Sequence, residues 1–134
     1  MQSEDILDLV SAHLSSRDIN LFAKDAEFRF MSQSEPLRGR QAIDVILSLL
    51  FKEMFSEVRL EPFNLVAIQD GAMAEFIFYG TNTGPLMGLP PTGKKVTVPM
   101  VAVYEVRGSQ ITRVRLYFDG CSMSRQLGLP TAPW

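Results

Sequence analysis

The chain has 134 residues, of which 46% are hydrophobic and 21% charged, the balance of a folded domain rather than of a disordered segment. Its net charge is -2 and no basic run exceeds Lys94-Lys95, so it lacks the clustered cations that displace counterions from nucleic-acid phosphates, and no nucleic-acid partner is expected. No apolar run approaches the ~20 residues of a membrane span, and a single cysteine, Cys121, forms no intramolecular disulfide.

The length suits one domain over residues 1–134, large enough to bury roughly two-thirds of its unfolded surface. The opening Met1-Gln2-Ser3-Glu4-Asp5 lacks the basic and apolar regions of a signal peptide, and a cytoplasmic location is expected. Ser3 reads as an N-cap, with Glu4 and Asp5 meeting the helix dipole. Ile6, Leu9, Val10, His13 and Leu14 follow at helical spacing. A second short helix is predicted from Asp18, with Ile19, Leu21 and Phe22 on its apolar side, ending at Lys24-Asp25. Residues 26–31 read as a strand with Phe28 and Phe30 on one face, and 32–38 as a turn marked by Ser34, Pro36 and Gly39. A long helix over 40–55 carries Ile43, Ile46, Leu47, Leu50 and Phe51.

The period then changes to two. A strand over 57–69, broken in rhythm at Pro62, reaches the Asp70-Gly71 turn. In the next strand, 72–83, Ala74, Phe76 and Phe78 face one way and Glu75, Ile77 and Tyr79 the other. A Gly- and Pro-rich loop over 84–93 leads to a second hairpin, 94–107 and 110–118, about Gly108-Ser109, and a short helix is predicted over 122–127. The order implies an α+β fold: a bent antiparallel sheet with one apolar face covered by the early helices. Pro62 and the glycine breaks are the expected bending points. Where helix and sheet diverge, a cavity for a small apolar ligand is expected.

On the last strand Val114, Leu116 and Phe118 share one face, and Arg113, Arg115, Tyr117 and Asp119 the other. Asp119 has two readings, an N-cap for the following helix or an acid at the cavity, where desolvation would raise its pKa and suit it to proton transfer. His13 is either a hydrogen-bonded core residue or a polar group in the ligand site. Asn82 either stabilises chain entry to Gly84 through an Asx-type turn or donates to an oxyanion. Glu75 and Glu105 either pair with Arg113 and Arg115 or face water. Phe28, Phe30, Phe76, Phe78, Met100 and Tyr117 are the candidate walls. No His or Cys cluster has metal-ligand spacing, and no phosphate loop, dinucleotide fingerprint or nucleophile elbow is present, so neither metal nor cofactor is expected.

The segment Gly80-Thr81-Asn82-Thr83-Gly84-Pro85-Leu86-Met87-Gly88-Leu89-Pro90-Pro91-Thr92-Gly93-Lys94, the strand ending Tyr117-Phe118-Asp119, and Gln126-Leu127-Gly128 resemble the SnoaL-like polyketide cyclase family. The resemblance covers nearly the whole chain. It implies the cone-shaped nuclear transport factor 2-like (cystatin-like) α+β fold shared with ketosteroid isomerase and limonene epoxide hydrolase. It also implies that Asp119 is the acid/base of an aldol ring closure, with Asn82 at a position where the family commonly has histidine. An amide cannot shuttle a proton, so oxyanion stabilisation is the role left to Asn82. Phe30 and Met31 stand where ketosteroid isomerase carries its catalytic aspartate. Gly80-Thr81-Asn82-Thr83 lacks the Arg-x-Asp pair of the epoxide hydrolase.

Two functions are therefore expected in competition. One is an enzyme acting on a small apolar carbonyl compound, with Asp119 and Asn82 catalytic and His13, Phe30, Phe78, Met100 and Tyr117 binding. The other is a non-catalytic ligand-binding or dimerisation module of the same fold. A homodimer is expected in either case, because Ile77, Val101 and Val103 on the outer sheet face need cover.

Overall fold

The computed structural model of the protein describes residues 2–131 and 134. Helix α1 (Ser3–Ser16) buries Ile6, Val10, His13 and Leu14, the stripe expected from their spacing. Its N-cap position is Gln2 rather than Ser3, and no side chain caps it. Arg17 ends the helix in the left-handed region at φ 56. The second helix is only a 3-10 turn, Ile19–Leu21, with Asp18 accepting from the Asn20 N–H.

Strand β1 (Phe22–Phe30) starts four residues before the sequence-based expectation, because Phe22, Ala26 and Phe28 are buried along it. It runs parallel to β6 (Gln110–Phe118), with an irregularity between Phe22 and Glu27. The sheet is therefore mixed, not wholly antiparallel as expected. A two-residue strand β2 (Leu37–Arg38), inside the expected turn, closes one edge. The long helix divides: α2 (Arg40–Ser48) continues as a π-helical segment, Leu49–Met54, before β3 (Phe55–Ile68).

The six-stranded sheet has the order β2-β1-β6-β5-β4-β3, with β4 at Gly71–Asn82 and β5 at Lys95–Arg107. Register shifts in β3 fall between Ser56 and Arg59 and between Pro62 and Asn64, so Pro62 does sit at an irregularity. Helix α1 packs on β3 and β4, α2 on β1, and α3 (Gly120–Leu127) on β5. The inner face carries Phe28, Phe76, Phe78, Val98, Met100, Ala102, Tyr104 and Val114, all buried against the helices. No helix among the described residues is long and apolar enough to cross a membrane.

Candidate functional site

Between α1, the α2–π-helical segment and the inner sheet face lies a cavity of about 70 Å³. A single water needs roughly 10–15 Å³ on the same measure, so the space takes about five waters or a one-ring molecule. Phe28, Phe76, Phe78, Met100 and Val114 form its sheet wall, and Leu47, Leu50 and Phe51 its helical wall. Met87 and Trp134 also line it, and Met87 is 49% exposed, so this is where the cavity meets solvent. The Trp134 indole N–H is fixed by the Gly120 carbonyl at 3.0 Å.

Among the described residues, two polar side chains besides the Trp134 indole stand in this wall, His13 and Tyr104. They come from α1 and β5, 91 residues apart in sequence, and are joined by a 3.1 Å hydrogen bond between His13 Nδ1 and Tyr104 Oη. Tyr104 and Phe22 pack edge-on against the imidazole, with ring centres 5.6 and 5.0 Å away. His13 Nε2 is buried without a hydrogen-bond partner among the described residues. Burial, helped by the charge of Arg17, lowers the His13 pKa from 6.5 to about 4, so the ring is neutral at pH 7. Burial likewise raises the Tyr104 pKa, which keeps its hydroxyl protonated. Arg17 itself sits over the ring of Phe51, a cavity-lining residue, 5.2 Å from its centre.

The expectation for Asp119 as a cavity acid is corrected. Its side chain is exposed and absent from the cavity wall, and Oδ1 accepts from the Ser122 N–H at 3.1 Å as the N-cap of α3. Tyr117, 42% exposed, lies with it on the outer sheet face in a shallow groove with Phe63, Glu75, Pro99 and Val101, and is not a wall. Phe30 is half-buried, packs against Phe28 at a tilt of 49° with ring centres 5.2 Å apart, and does not line the cavity. Phe78, Met100 and His13 do line it.

Asn82 is corrected too: every polar atom of its buried side chain is engaged locally. Nδ2 donates to the carbonyls of Met54 (2.9 Å) and Gly84 (3.1 Å), and Oδ1 accepts from the Thr92 N–H (2.7 Å) and hydroxyl (3.0 Å). No donor is left for an oxyanion. The amide instead pins both ends of the 83–94 loop, which brings Met87 to the cavity. Glu105 pairs with Arg113 (3.3 Å) and Arg115 (2.6 Å), whereas Glu75 accepts from Asn64. Burial pushes the Glu105 carboxyl up, but the arginine hydrogen bonds and charges outweigh it and leave its pKa below the ordinary value. Among the described residues no three His, Cys, Asp or Glu side chains gather as metal ligands would.

The sequence model of the SnoaL-like polyketide cyclase family matches residues 6–127. The chain belongs to this family. A curated relative, the aklanonic acid methyl ester cyclase AcmA of Streptomyces galilaeus, is 27% identical over 94 residues, covering 70% of this chain. The match spans 65% of AcmA's own length. A protein of Jannaschia sp. CCS1, provisionally described as a SnoaL-like polyketide cyclase, superposes with a TM-score of 0.87 at 18% identity, covering 96% of this chain and 95% of its own. A Catenulispora acidiphila protein with a ketosteroid isomerase-like fold reaches 0.72 at 22% identity, covering 99% and 98%. At these identities the structural likenesses establish the fold: this SnoaL-like chain is an α+β cone of the nuclear transport factor 2-like type.

Proposed function

We propose that this SnoaL-like chain is a cyclase-type enzyme that binds a small, mostly apolar, carbonyl-bearing molecule in the cavity and activates it through the His13–Tyr104 pair. One observation carries the reading: an apolar cavity, open at Met87, whose wall among the described residues holds the hydrogen-bonded pair His13 and Tyr104. Apolar walls strip water from the ligand, and a hydrogen bond to a developing oxyanion counts for more in such a site than in water. Neither Asp119 nor Asn82 is assigned a chemical role, since the first caps α3 in solvent and the second is saturated by backbone.

A second reading, ligand binding without chemistry, is favoured by the lack of any carboxylate in the described wall. A panel of small aryl diketones, followed for ring closure, separates the two. Wild type and Asp119→Asn should both turn over. The paired variant His13→Leu/Tyr104→Phe should lose about 100-fold or more, the scale of losing an oxyanion donor. Binding without product in all three would favour the second reading, and loss confined to Asp119→Asn would overturn the assignment of His13. A second copy of the chain is proposed to cover the outer sheet face, where Phe63, Val66, Met73 and Tyr117 are 60, 43, 38 and 42% exposed.

A further inference from the structure

We infer that the Trp134 indole is a removable wall of the cavity that sets the size of the ligand. Seated, it admits one ring; a second ring enters only when the indole leaves its seat. The inference rests on the cavity being the ligand site and goes beyond it by naming the residue that limits what fits.

The seat is built from two places in the chain. Trp134 lines the cavity, packs against the Phe118 ring with centres 6.4 Å apart, and donates its indole N–H to the Gly120 carbonyl at 3.0 Å. That bond uses the indole's one donor, so it offers the cavity apolar surface alone. Gly120, in the first turn of α3, has none of the positive φ that Gly39, Gly88, Gly93, Gly108 and Gly128 take. What requires a glycine there is space: a Cβ would stand 2.6 Å from Trp134 Cδ1 and 2.7 Å from Nε1. Alanine is the better helix former at an ordinary φ, so this glycine serves the indole rather than the backbone.

The other walls have less freedom to give way. Phe28, Phe76, Phe78, Met100 and Val114 are buried on the sheet, in a packed interior that deforms little. Met87, though exposed, sits on backbone tied by the paired Leu86–Leu89 hydrogen bonds, both 2.9 Å, and by Asn82. Trp134 is half-buried, and among the described residues its side chain makes one hydrogen bond. So few contacts make it the part that opens at least cost. With the indole in place the cavity holds about 70 Å³, room for one ring. A two-ring ligand has to displace it, and returns apolar burial in exchange.

Trp134 is the chain's only tryptophan, so fluorotryptophan labelling gives a single ¹⁹F signal. A soluble nitroxide should barely broaden that signal in wild type and broaden it strongly in Gly120→Ala, a change outside the cavity wall. Saturating methyl naphthyl ketone should expose the wild-type signal in the same way, and saturating acetophenone should not. A wild-type signal already open to the nitroxide, unmoved by Gly120→Ala, or still shielded with the naphthyl ketone bound, overturns the inference. Titrating both ketones into wild type, Gly120→Ala and Trp134→Ala then gives the affinity ratio of two rings to one, which partial unfolding of a variant leaves unchanged. The ratio should be about 10-fold higher in both variants, the scale of one more ring's apolar burial. Equal ratios in the three proteins, with both ketones bound in the cavity, would overturn the size limit and leave the ligand site standing. Failure of both ketones to perturb the cavity residues in any of the three would overturn the ligand site, and the wall with it.

Discussion

Acidification forces a proton toward an imidazole that has no room for its charge, and the cost can be worked out. His13 is 4% exposed, and its pKa falls from 6.5 in an unfolded chain to about 4 in the fold. Between these values the unfolded state holds the proton and the native state does not, so stability falls as pH drops from 6.5 toward 4, and this contribution levels off below 4. At about 1.4 kcal/mol per unit, the loss is about 2 kcal/mol at pH 5 and about 3 kcal/mol at pH 4 relative to pH 7. His13→Leu/Tyr104→Phe lacks the titrating ring. Glu105, whose folded pKa is lowered, contributes in the same direction below its unfolded value, where protonation breaks its arginine pairs. It does so equally in both proteins and cancels from the difference. Urea unfolding at pH 7, 6 and 5 measures the effect: with a slope of about 2 kcal/mol/M, the wild-type midpoint should fall about 1 M further than the variant's by pH 5. Parallel curves for the two proteins would refute a buried neutral histidine.

Other outcomes follow from single contacts. Asn82→Ala strands the Gly84 carbonyl and the Thr92 N–H and should cost about 2–4 kcal/mol in urea unfolding, with faster amide exchange across the 83–94 loop. Asp119→Ala should cost about 1 kcal/mol through loss of the α3 cap, whereas Asp119→Asn should be near neutral, and neither should change acetophenone affinity. Phe63→Asp with Met73→Asp places charge on the outer sheet face. Light scattering should show a wild-type dimer at micromolar concentration and a monomer for this variant, and a monomeric wild type would remove the proposed interface.

Much of the architecture could be read from local pattern. The α1 stripe, the period-two strands, Asp70-Gly71 and Gly108-Ser109 all lie where expected, and Asp70, Gly108 and Ser109 take positive φ values of 57, 58 and 63. What escaped depended on distant partners. Phe22 belongs to β1 because it pairs with Ile111, a parallel partner far along the chain that no local window contains. The π-helical end of α2 keeps Leu50 and Phe51 on the cavity and leaves the same apolar spacing as a regular helix.

Asp119 is more instructive, because the information was present. It shares its face of the last strand with Arg113 and Arg115, and two guanidinium groups in an apolar cavity would cost far more than Tyr117 could return. Their parity pointed that face outward, where the arginines meet Glu27 and Glu105. His13 was recognised as a polar residue on an apolar stripe, but its partner was not. Nothing local links residue 13 to residue 104 until the sheet curls β5 under α1.

A crystal structure with acetophenone soaked into the protein tests most directly whether the cavity is a ligand site with His13 at its polar end. The expected result is the phenyl ring against Phe76, Phe78 and Met100, with the ketone oxygen at the His13–Tyr104 end of the cavity. The ring lodged in the outer groove beside Tyr117 and Asp119, or the oxygen turned away from the imidazole toward Met87, would contradict it.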